Sequence, residues 1–129
     1  MVDFKGANIE EANLKRANHI GVDLIMANLT FVNLEGANLE GPNLTKANLT
    51  KANLKRATFI KADLTWANLR KANLKWTNLR ETNLKWADLT EANIVEANLQ
   101  GANLQEANLR EAYNLTFDQL SKVKTLYNA

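Results

Sequence analysis

Few side chains in this sequence could carry out acid–base, nucleophilic or metal chemistry. His19 is the only histidine in 129 residues, cysteine is absent, and Ser121 is the only serine. A single imidazole without a thiolate does not make a usual zinc site, and a serine triad has no place in most of the chain. Asp3 and Asp23 are twenty residues apart, with Asp63 further along. Paired carboxylates can bind cations or move protons, but aspartate alternates here with asparagine, which favours a structural role.

A second group of residues combines aromatic, apolar and cationic side chains. Met26, Lys46, Trp66 and Trp86 follow one another at intervals of twenty residues. Exposed tryptophans often mark binding surfaces, so we treat these four residues as a candidate partner surface. The alternative is that the rings shield turn backbone and stack for stability. For Trp76, which stands between the other two tryptophans, packing is the favoured interpretation.

Charge is distributed unevenly along the chain. Residues 42–86 carry 10 basic and 2 acidic side chains, whereas residues 1–41 and 87–129 each carry 3 basic and 6 acidic ones. Cations interleaved with tryptophans resemble surfaces that bind single-stranded nucleic acid. A solvated surface is the favoured interpretation, because the cations occupy variable positions where long polar side chains are expected. This basic belt comprises Lys46, Lys51, Lys55, Arg56, Lys61, Arg70, Lys71, Lys75, Arg80 and Lys85.

All of these residues belong to one repeat. From Val2 to Glu111, 22 consecutive pentapeptides follow the form Ala-(Asn/Asp)-Leu-x-x without a change of register. Five residues advance about 500° on a helix and reverse faces on a strand, so the period fits neither element. The leucines can share one core only if the chain bends once per repeat. All five glycines occupy the last position, which places the bend there. The predicted core includes Leu14, Leu34, Leu54, Leu74 and Ile94.

The repeat resembles that of the pentapeptide repeat proteins, a family abundant in cyanobacteria, over 110 of 129 residues. The resemblance implies an all-β solenoid over residues 1–111, a right-handed quadrilateral β-helix with four repeats per coil. The 22 repeats then give 22/4, or about 5.5, coils. It also implies that residues twenty apart are neighbours in adjacent coils. Most family members lack known activity, and characterised members bind other proteins. One branch imitates DNA and inhibits DNA gyrase through an acidic surface, a role that the basic middle here argues against.

The C-terminal segment departs from the repeat. After Glu111 the pattern fails, and residues 112–129 predict a short capping helix. Thr116 and Gln119 have the spacing of a capping box. The predicted apolar face of the helix consists of Phe117, Leu120, Val123 and Leu126 or Tyr127.

The N-terminal end has no predicted cap. We expect either the bulk of Phe4 or a second copy of the chain, in a weak homodimer, to cover the first coil. Large apolar residues at outward positions, Ile20, Ile25 and Phe31, form a candidate N-end patch. His19, at a central position, is either a tolerated end residue or a pH-sensitive contact at a dimer face.

Composition and motifs together favour a binding protein over an enzyme. No apolar run approaches the ~18 residues needed to span a membrane, and residues 1–30 lack the apolar segment of a signal peptide. We therefore expect a cytoplasmic protein without membrane contact or cofactor. The predicted function is a non-enzymatic protein-binding or scaffold module with an unknown partner. The alternative is single-stranded nucleic-acid binding through the basic belt and the tryptophans.

Overall fold

Parallel pairing at intervals of twenty residues builds the molecule. The computed structural model describes residues 3–129, so Met1 and Val2, the start of the first repeat, lie outside the described residues. The residue before each central side chain pairs with the residue twenty positions on, from the Asp3–Asp23 bridge to the Asn93–Tyr113 bridge. Each side of the coil is so short that it contributes one bridge residue instead of an extended strand. Four repeats therefore make one coil, and the coils stack into a four-sided rod.

A tight turn forms each corner of the rod. The last residue of every repeat has a positive φ, between 49° and 71°. The N–H of the next residue donates to the central carbonyl, as from Ala27 to Leu24 at 3.0 Å. A left-handed third residue is characteristic of a type II turn. The asparagine side chain supports the turn, since Asn48 Oδ1 accepts from the Thr50 N–H at 3.1 Å. The glycine positions thus identified the corners, as the sequence predicted.

The four corners follow one another around the rod, and residues at the same corner recur every twenty positions. Corner B consists of residues 10–11 and of every pair twenty positions further on, up to 110–111. Corner D consists in the same way of residues 20–21 up to 100–101. Corners A and C are diagonally opposite each other. Corner A consists of residues 5–6, 25–26, 45–46, 65–66, 85–86 and 105–106. Corner C consists of residues 15–16, 35–36, 55–56, 75–76 and 95–96.

Alanine and leucine columns fill the interior. Leu34, Leu54, Leu74 and Ile94 are at most 1% exposed, as expected for the core. Leu14 differs, because it is only partly buried and packs at the margin of the core. It belongs to the first coil, where the described residues provide no further coil to cover it.

Polar and cyclic residues enter the core without breaking the stack. Thr77 and Thr82 are fully buried, and their hydroxyls donate to the Leu54 and Phe59 carbonyls at 2.8 Å each. At Pro42 the ladder bonds persist, and the Asp63 N–H donates to the Pro42 carbonyl at 2.9 Å. Proline has no N–H to donate, so the stack loses only a turn bond at that corner.

The C-terminal segment forms a much shorter helix than predicted. Helix α1 spans Phe117–Ser121 and has the predicted capping box. It is the one helix in residues 3–129, and no helix there has the length and apolar character needed to cross a bilayer. The chain then returns to the stack, where the Gly101 N–H donates to the Lys122 carbonyl at 2.8 Å. The predicted apolar face is therefore confirmed only in part, and Phe117, which was predicted to belong to it, is 91% exposed.

Of the predicted helix face, only the two middle residues contact the interior. Leu120 and Val123 pack against the core, whereas Leu126 and Tyr127 are exposed. The Leu104 N–H donates to the Thr125 carbonyl at 2.8 Å, so this segment extends the last coil edge instead of continuing α1.

A glutamine side chain caps the C-terminal end. Gln119 is 8% exposed, and its Nε2 donates to the Ile94 and Ala97 carbonyls at 2.9 Å each. In the regular stack, the carbonyl of each alanine position accepts a hydrogen bond from the N–H of the residue 21 positions later, as the Ala92 carbonyl does from the Tyr113 N–H. For Ala97 that position is Asp118, which lies in α1. The Gln119 amide supplies the donor in its place.

Candidate binding surfaces

Corner A brings together the four residues of the candidate partner surface. Met26, Lys46, Trp66 and Trp86 end their repeats in consecutive coils with φ between 57° and 60°. Ladder bonds hold them in register, since the Lys46 N–H donates to the Thr65 carbonyl at 2.9 Å. Because the backbone repeats from coil to coil, these four side chains form one column along the rod.

The two tryptophans of corner A stack on each other. Their ring centroids are 4.9 Å apart with an angle of 17° between the planes. Lys85 Nζ lies 3.9 Å from the Trp86 centroid, so the Trp86 ring contacts both an indole and an ammonium group. Trp66 is 54% exposed and Met26 is 64% exposed. The stack therefore supports the rod, while Trp66 and Met26 leave apolar surface in contact with water.

The candidate N-end patch is divided among three corners. Ile20 lies at corner D and is 61% exposed, Ile25 is half-buried at corner A, and Phe31 is 48% exposed at corner B. Lys51 Nζ covers the Phe31 ring at 4.9 Å from its centroid. These residues therefore do not form one surface, and only Ile25 adjoins the column of corner A.

The N-terminal end contains an apolar cavity that the sequence did not indicate. Its volume is about 250 Å³, and leucines of the second coil line it together with Phe4, Ile9, Leu14 and His19. Phe4 is 41% exposed, so within residues 3–129 its bulk does not close the end. His19 Nε2 is buried and has no hydrogen-bond partner within residues 3–129. A buried polar atom without a partner is costly, which makes this end a weak point of the described structure.

Corner C carries a second aromatic and cationic group, which we call the Trp76 cluster: Lys55, Arg56, Lys75 and Trp76. Lys75 Nζ, Arg56 Cζ and Lys55 Nζ lie 4.1, 4.9 and 5.3 Å from the Trp76 centroid. The Trp76 ring is half-buried. Within the described residues, none of the three cations forms an ion pair.

Ion pairs between coils neutralise part of the basic belt at corner B. Lys71 pairs with Glu91 at 3.3 Å, and Arg70 pairs with Asp88 at 3.5 Å. Burial alone would raise the pKa of Asp88, but hydrogen bonds from Thr90 and the charge of Arg70 outweigh it, and the net pKa is lowered. Two of the belt cations at corner B, Arg70 and Lys71, are therefore paired with carboxylates, whereas the three cations around Trp76 are not.

The charge of corner C also acts on a neighbouring carboxylate. Lys15 and Glu35 are 3.2 Å apart. The hydrogen bond from Lys15 lowers the pKa of Glu35, and the charges of Lys15, Lys55 and Arg56 act in the same direction. The positive charge of Lys55 and Arg56, in the coil that follows Glu35, thus helps to lower the pKa of Glu35.

The aspartates have a structural role at the corners. Asp23 Oδ1 accepts the Ile25 N–H at 3.1 Å, as asparagine does elsewhere, and Asp23 Oδ2 pairs with Lys5 at 3.4 Å. Asp3 likewise accepts the Lys5 N–H at 2.9 Å. Among residues 3–129, no group of three histidine or acidic side chains is placed to hold a metal ion.

Comparison with protein families identifies the repeat. The model of the family described as pentapeptide repeats matches 8 copies, over residues 3–41, 43–75, 59–94, 67–105 and 87–117. A comparison with functionally curated proteins gives no match.

Several solved structures are similar to this chain. Alr5209, a pentapeptide repeat protein from Nostoc PCC 7120, has 30% identity over 81% of this chain and 84% of its own, with a TM-score of 0.69. HetL, a pentapeptide repeat protein involved in heterocyst differentiation regulation from the cyanobacterium Nostoc sp. strain PCC 7120, has 30% identity over 85% of this chain, with a TM-score of 0.43. The match spans 58% of HetL. QnrB1, a plasmid-mediated fluoroquinolone resistance protein, has 15% identity over 96% of this chain and 77% of its own, with a TM-score of 0.45. The chain belongs to the pentapeptide repeat family.

Proposed function

We propose that this protein is a non-enzymatic binding module and that its protein partner docks on corner A. The exposed Trp66 and Met26 in one column carry this proposal, with exposed fractions of 54% and 64%. Tryptophan is enriched among the residues that dominate binding energy at interfaces. We also infer that the coil has the right-handed quadrilateral form of its family.

The rigidity of the corner supports the proposal. Hydrogen bonds to the next coil fix the backbone of Trp66, whose N–H donates to the Lys85 carbonyl at 3.1 Å. The stacked Trp86 ring limits the rotamers of the Trp66 side chain. Little ordering is then required on binding, and preorganisation improves affinity. The complementary partner surface is apolar, with an acidic group close to Lys46.

The contacts of the indole rings favour a protein over single-stranded nucleic acid. Base stacking requires free aromatic faces, but the Trp86 ring contacts Lys85 and Trp66, and three cations lie close to the Trp76 ring. Of the three indoles, Trp66 offers the most open ring. Nucleic-acid binding remains the alternative that the experiment must separate.

A nuclease-treated pull-down from source-cell lysate tests the proposal. The wild type is compared with a Met26→Ala/Trp66→Ala variant and with the control Ile20→Ala, which removes a residue of similar exposure from corner D. We expect one protein to be retained by the wild type and the control and lost by the double variant. With the purified partner, the double variant should bind at least about tenfold more weakly. Equal retention by all three proteins, or capture only without nuclease, contradicts the proposal.

Self-association through the N-terminal end is a second candidate function. In the second coil, the Asn28 N–H donates to Ala7 and its carbonyl accepts from Ile9, so both groups face the preceding coil. The equivalent groups of the first coil face the N-terminal end, beside the cavity and His19. An antiparallel edge from a second copy has donors and acceptors that match them.

Sedimentation equilibrium over a wide concentration range tests self-association. We expect a weak dimer for the wild type and a monomer for Ile9→Glu, which places a charge in the cavity. Thr50→Glu, at the middle of corner B, serves as the control and should dimerise. A wild type that stays monomeric at every concentration rules this candidate out.

A further inference from the structure

The Trp76 cluster places three positive charges around one ring of corner C. Its three cations lie 4.1 to 5.3 Å from the same ring centroid. Three like charges gathered around one ring repel each other. The indole face attracts cations by about 0.5–1 kcal/mol at exposed sites, and one ring cannot offset three converging charges. The arrangement is therefore complementary to an anion.

Comparison with corner B shows that this convergence is not a general property of the belt. There, Arg70 and Lys71 each have a carboxylate in the next coil, at 3.5 and 3.3 Å. At corner C the residue twenty positions after Lys75 is Val95, and the one after Lys55 is Lys75. The stack therefore places cation next to cation at this corner.

We propose that the Trp76 cluster is a binding site for a phosphoryl group. Arg56 can donate two parallel hydrogen bonds to phosphoryl oxygens, which the planar guanidinium suits, and Lys55 and Lys75 add single donors. A phosphoryl dianion supplies about two negative charges, which offsets most of the charge of the cluster. The contacts with the indole limit the movement of the three cationic side chains and keep the donors around one ring.

The neighbouring residues limit the size of the ligand. Along corner C, Glu35 lies in the coil before Lys55, and Glu96 in the coil after Trp76. The two coils of the cluster are separated by about 4.8 Å, the spacing of paired strands, which suits one phosphoryl group. A longer polyanion lying along the corner would meet both carboxylates. The group is therefore either free phosphate or a phosphorylated side chain of a protein.

Indole NMR signals give a direct test in the full chain. The three tryptophans give three indole N–H signals, and Trp76→Phe identifies the relevant one. Inorganic phosphate is titrated at constant ionic strength set by chloride, and a phosphoserine peptide is titrated against its unphosphorylated form. We expect the Trp76 signal to shift saturably while those of Trp66 and Trp86 stay in place.

Charge variants make the test specific. Arg56→Gln should weaken binding about tenfold, as expected for loss of a charge-assisted pair. Lys51→Gln, an equal change of charge at corner B, should leave binding unchanged. Glu35→Gln should tighten binding about twofold, because it removes a nearby negative charge.

Each outcome decides the proposal. Shifts that do not saturate, that affect all three indoles equally, or that respond equally to Arg56→Gln and Lys51→Gln overturn it. Binding of the phosphopeptide alone assigns the group to a protein side chain, and equal binding of free phosphate assigns a small ligand. Because this site lies diagonally opposite corner A, the result is independent of whether Trp66 binds a partner.

Discussion

Within residues 3–129, the two ends of the rod differ in how far the core is covered. At the C-terminal end, the Gln119 amide donates to two carbonyls at 2.9 Å each, and Leu120 packs against the core. At the N-terminal end, an apolar cavity of about 250 Å³ adjoins His19, whose Nε2 has no partner among residues 3–129. The difference shows that a repeated core does not close itself, because each end needs donors and bulk that the repeat lacks.

The strongest test of this contrast truncates one core residue near each end on the same side of the rod. Ile94 is 1% exposed, whereas Leu14 is only partly buried. We expect Ile94→Ala to lower the free energy of unfolding by about 3–4 kcal/mol and Leu14→Ala by about 1 kcal/mol, since a cavity costs more where the site is closed. Urea unfolding of both variants measures the difference. Equal losses would show that the N-terminal end is closed as tightly as the C-terminal end.

Replacing the capping glutamine should open the C-terminal end. Gln119→Leu keeps the bulk of the side chain but removes the donor for the Ala97 carbonyl and half of the capping box. We expect a loss of about 2 kcal/mol, from one unsatisfied carbonyl and a weakened helix cap. Thermal unfolding checks the stability, and amide exchange in the last coil locates the change. Thr116→Ala, which affects only the cap, is the matched control and should cost about 1 kcal/mol.

At the N-terminal end, we expect a substitution to raise the free energy of unfolding instead of lowering it. His19→Leu replaces a buried polar atom without a described partner by the residue that the repeat uses at this position. We expect the free energy of unfolding to rise by about 1 kcal/mol. Denaturant unfolding at neutral pH measures it. A destabilised variant would mean that the imidazole has a partner in solution, and a second copy of the chain is the first to test.

The smallest expected effect concerns acid. The pKa of Asp88 is lowered in the folded protein, so its contribution to stability is present above the unfolded pKa and is lost as pH falls through the folded pKa. The free energy of unfolding should therefore fall less in Asp88→Asn than in the wild type as the pH is lowered from about 5 into the acid range. The difference should be less than about 1 kcal/mol, as expected for a surface pair. Urea unfolding at both ends of this range checks it, and an unchanged decline would assign the acid dependence to other carboxylates.

The repeat predicted the interior well, for a simple physical reason. With a period of five residues, each side of the rod can bury one leucine column only if the chain bends once per repeat. That requirement predicted both the corners and the core residues. The arrangement of the surface residues depended instead on which of the four corners each residue occupies, and that is set by its position within the twenty-residue coil. Ile20, Ile25 and Phe31 are close in sequence but occupy three corners, whereas Lys55 and Lys75 are twenty apart and converge on Trp76. A spacing of twenty residues therefore predicts which surface side chains are neighbours, whereas closeness in sequence does not.

The C-terminal segment shows where local pattern was overridden. Its apolar spacing suits a helix, and α1 begins at the predicted cap but ends at Ser121. Beyond it, the exposed edge of the last coil offers N–H groups that the chain can satisfy, and the Glu106 N–H donates to the Tyr127 carbonyl at 2.9 Å. Hydrogen bonds to an existing edge outweigh the modest propensity of a short helix.

The pairing of each residue with the one twenty positions on has a consequence for how such a chain can change in length. Removing one pentapeptide would keep every central leucine in the interior, yet it would turn all later residues through a quarter of the circumference. If the deleted repeat were residues 67–71, Trp86 would leave the column of Trp66, and Lys75 and Trp76 would separate from Lys55 and Arg56. Removing twenty residues would shorten the rod and keep every later corner in place. Insertions and deletions in this protein therefore act as rotations of its surface, and only multiples of four repeats preserve what the outside presents.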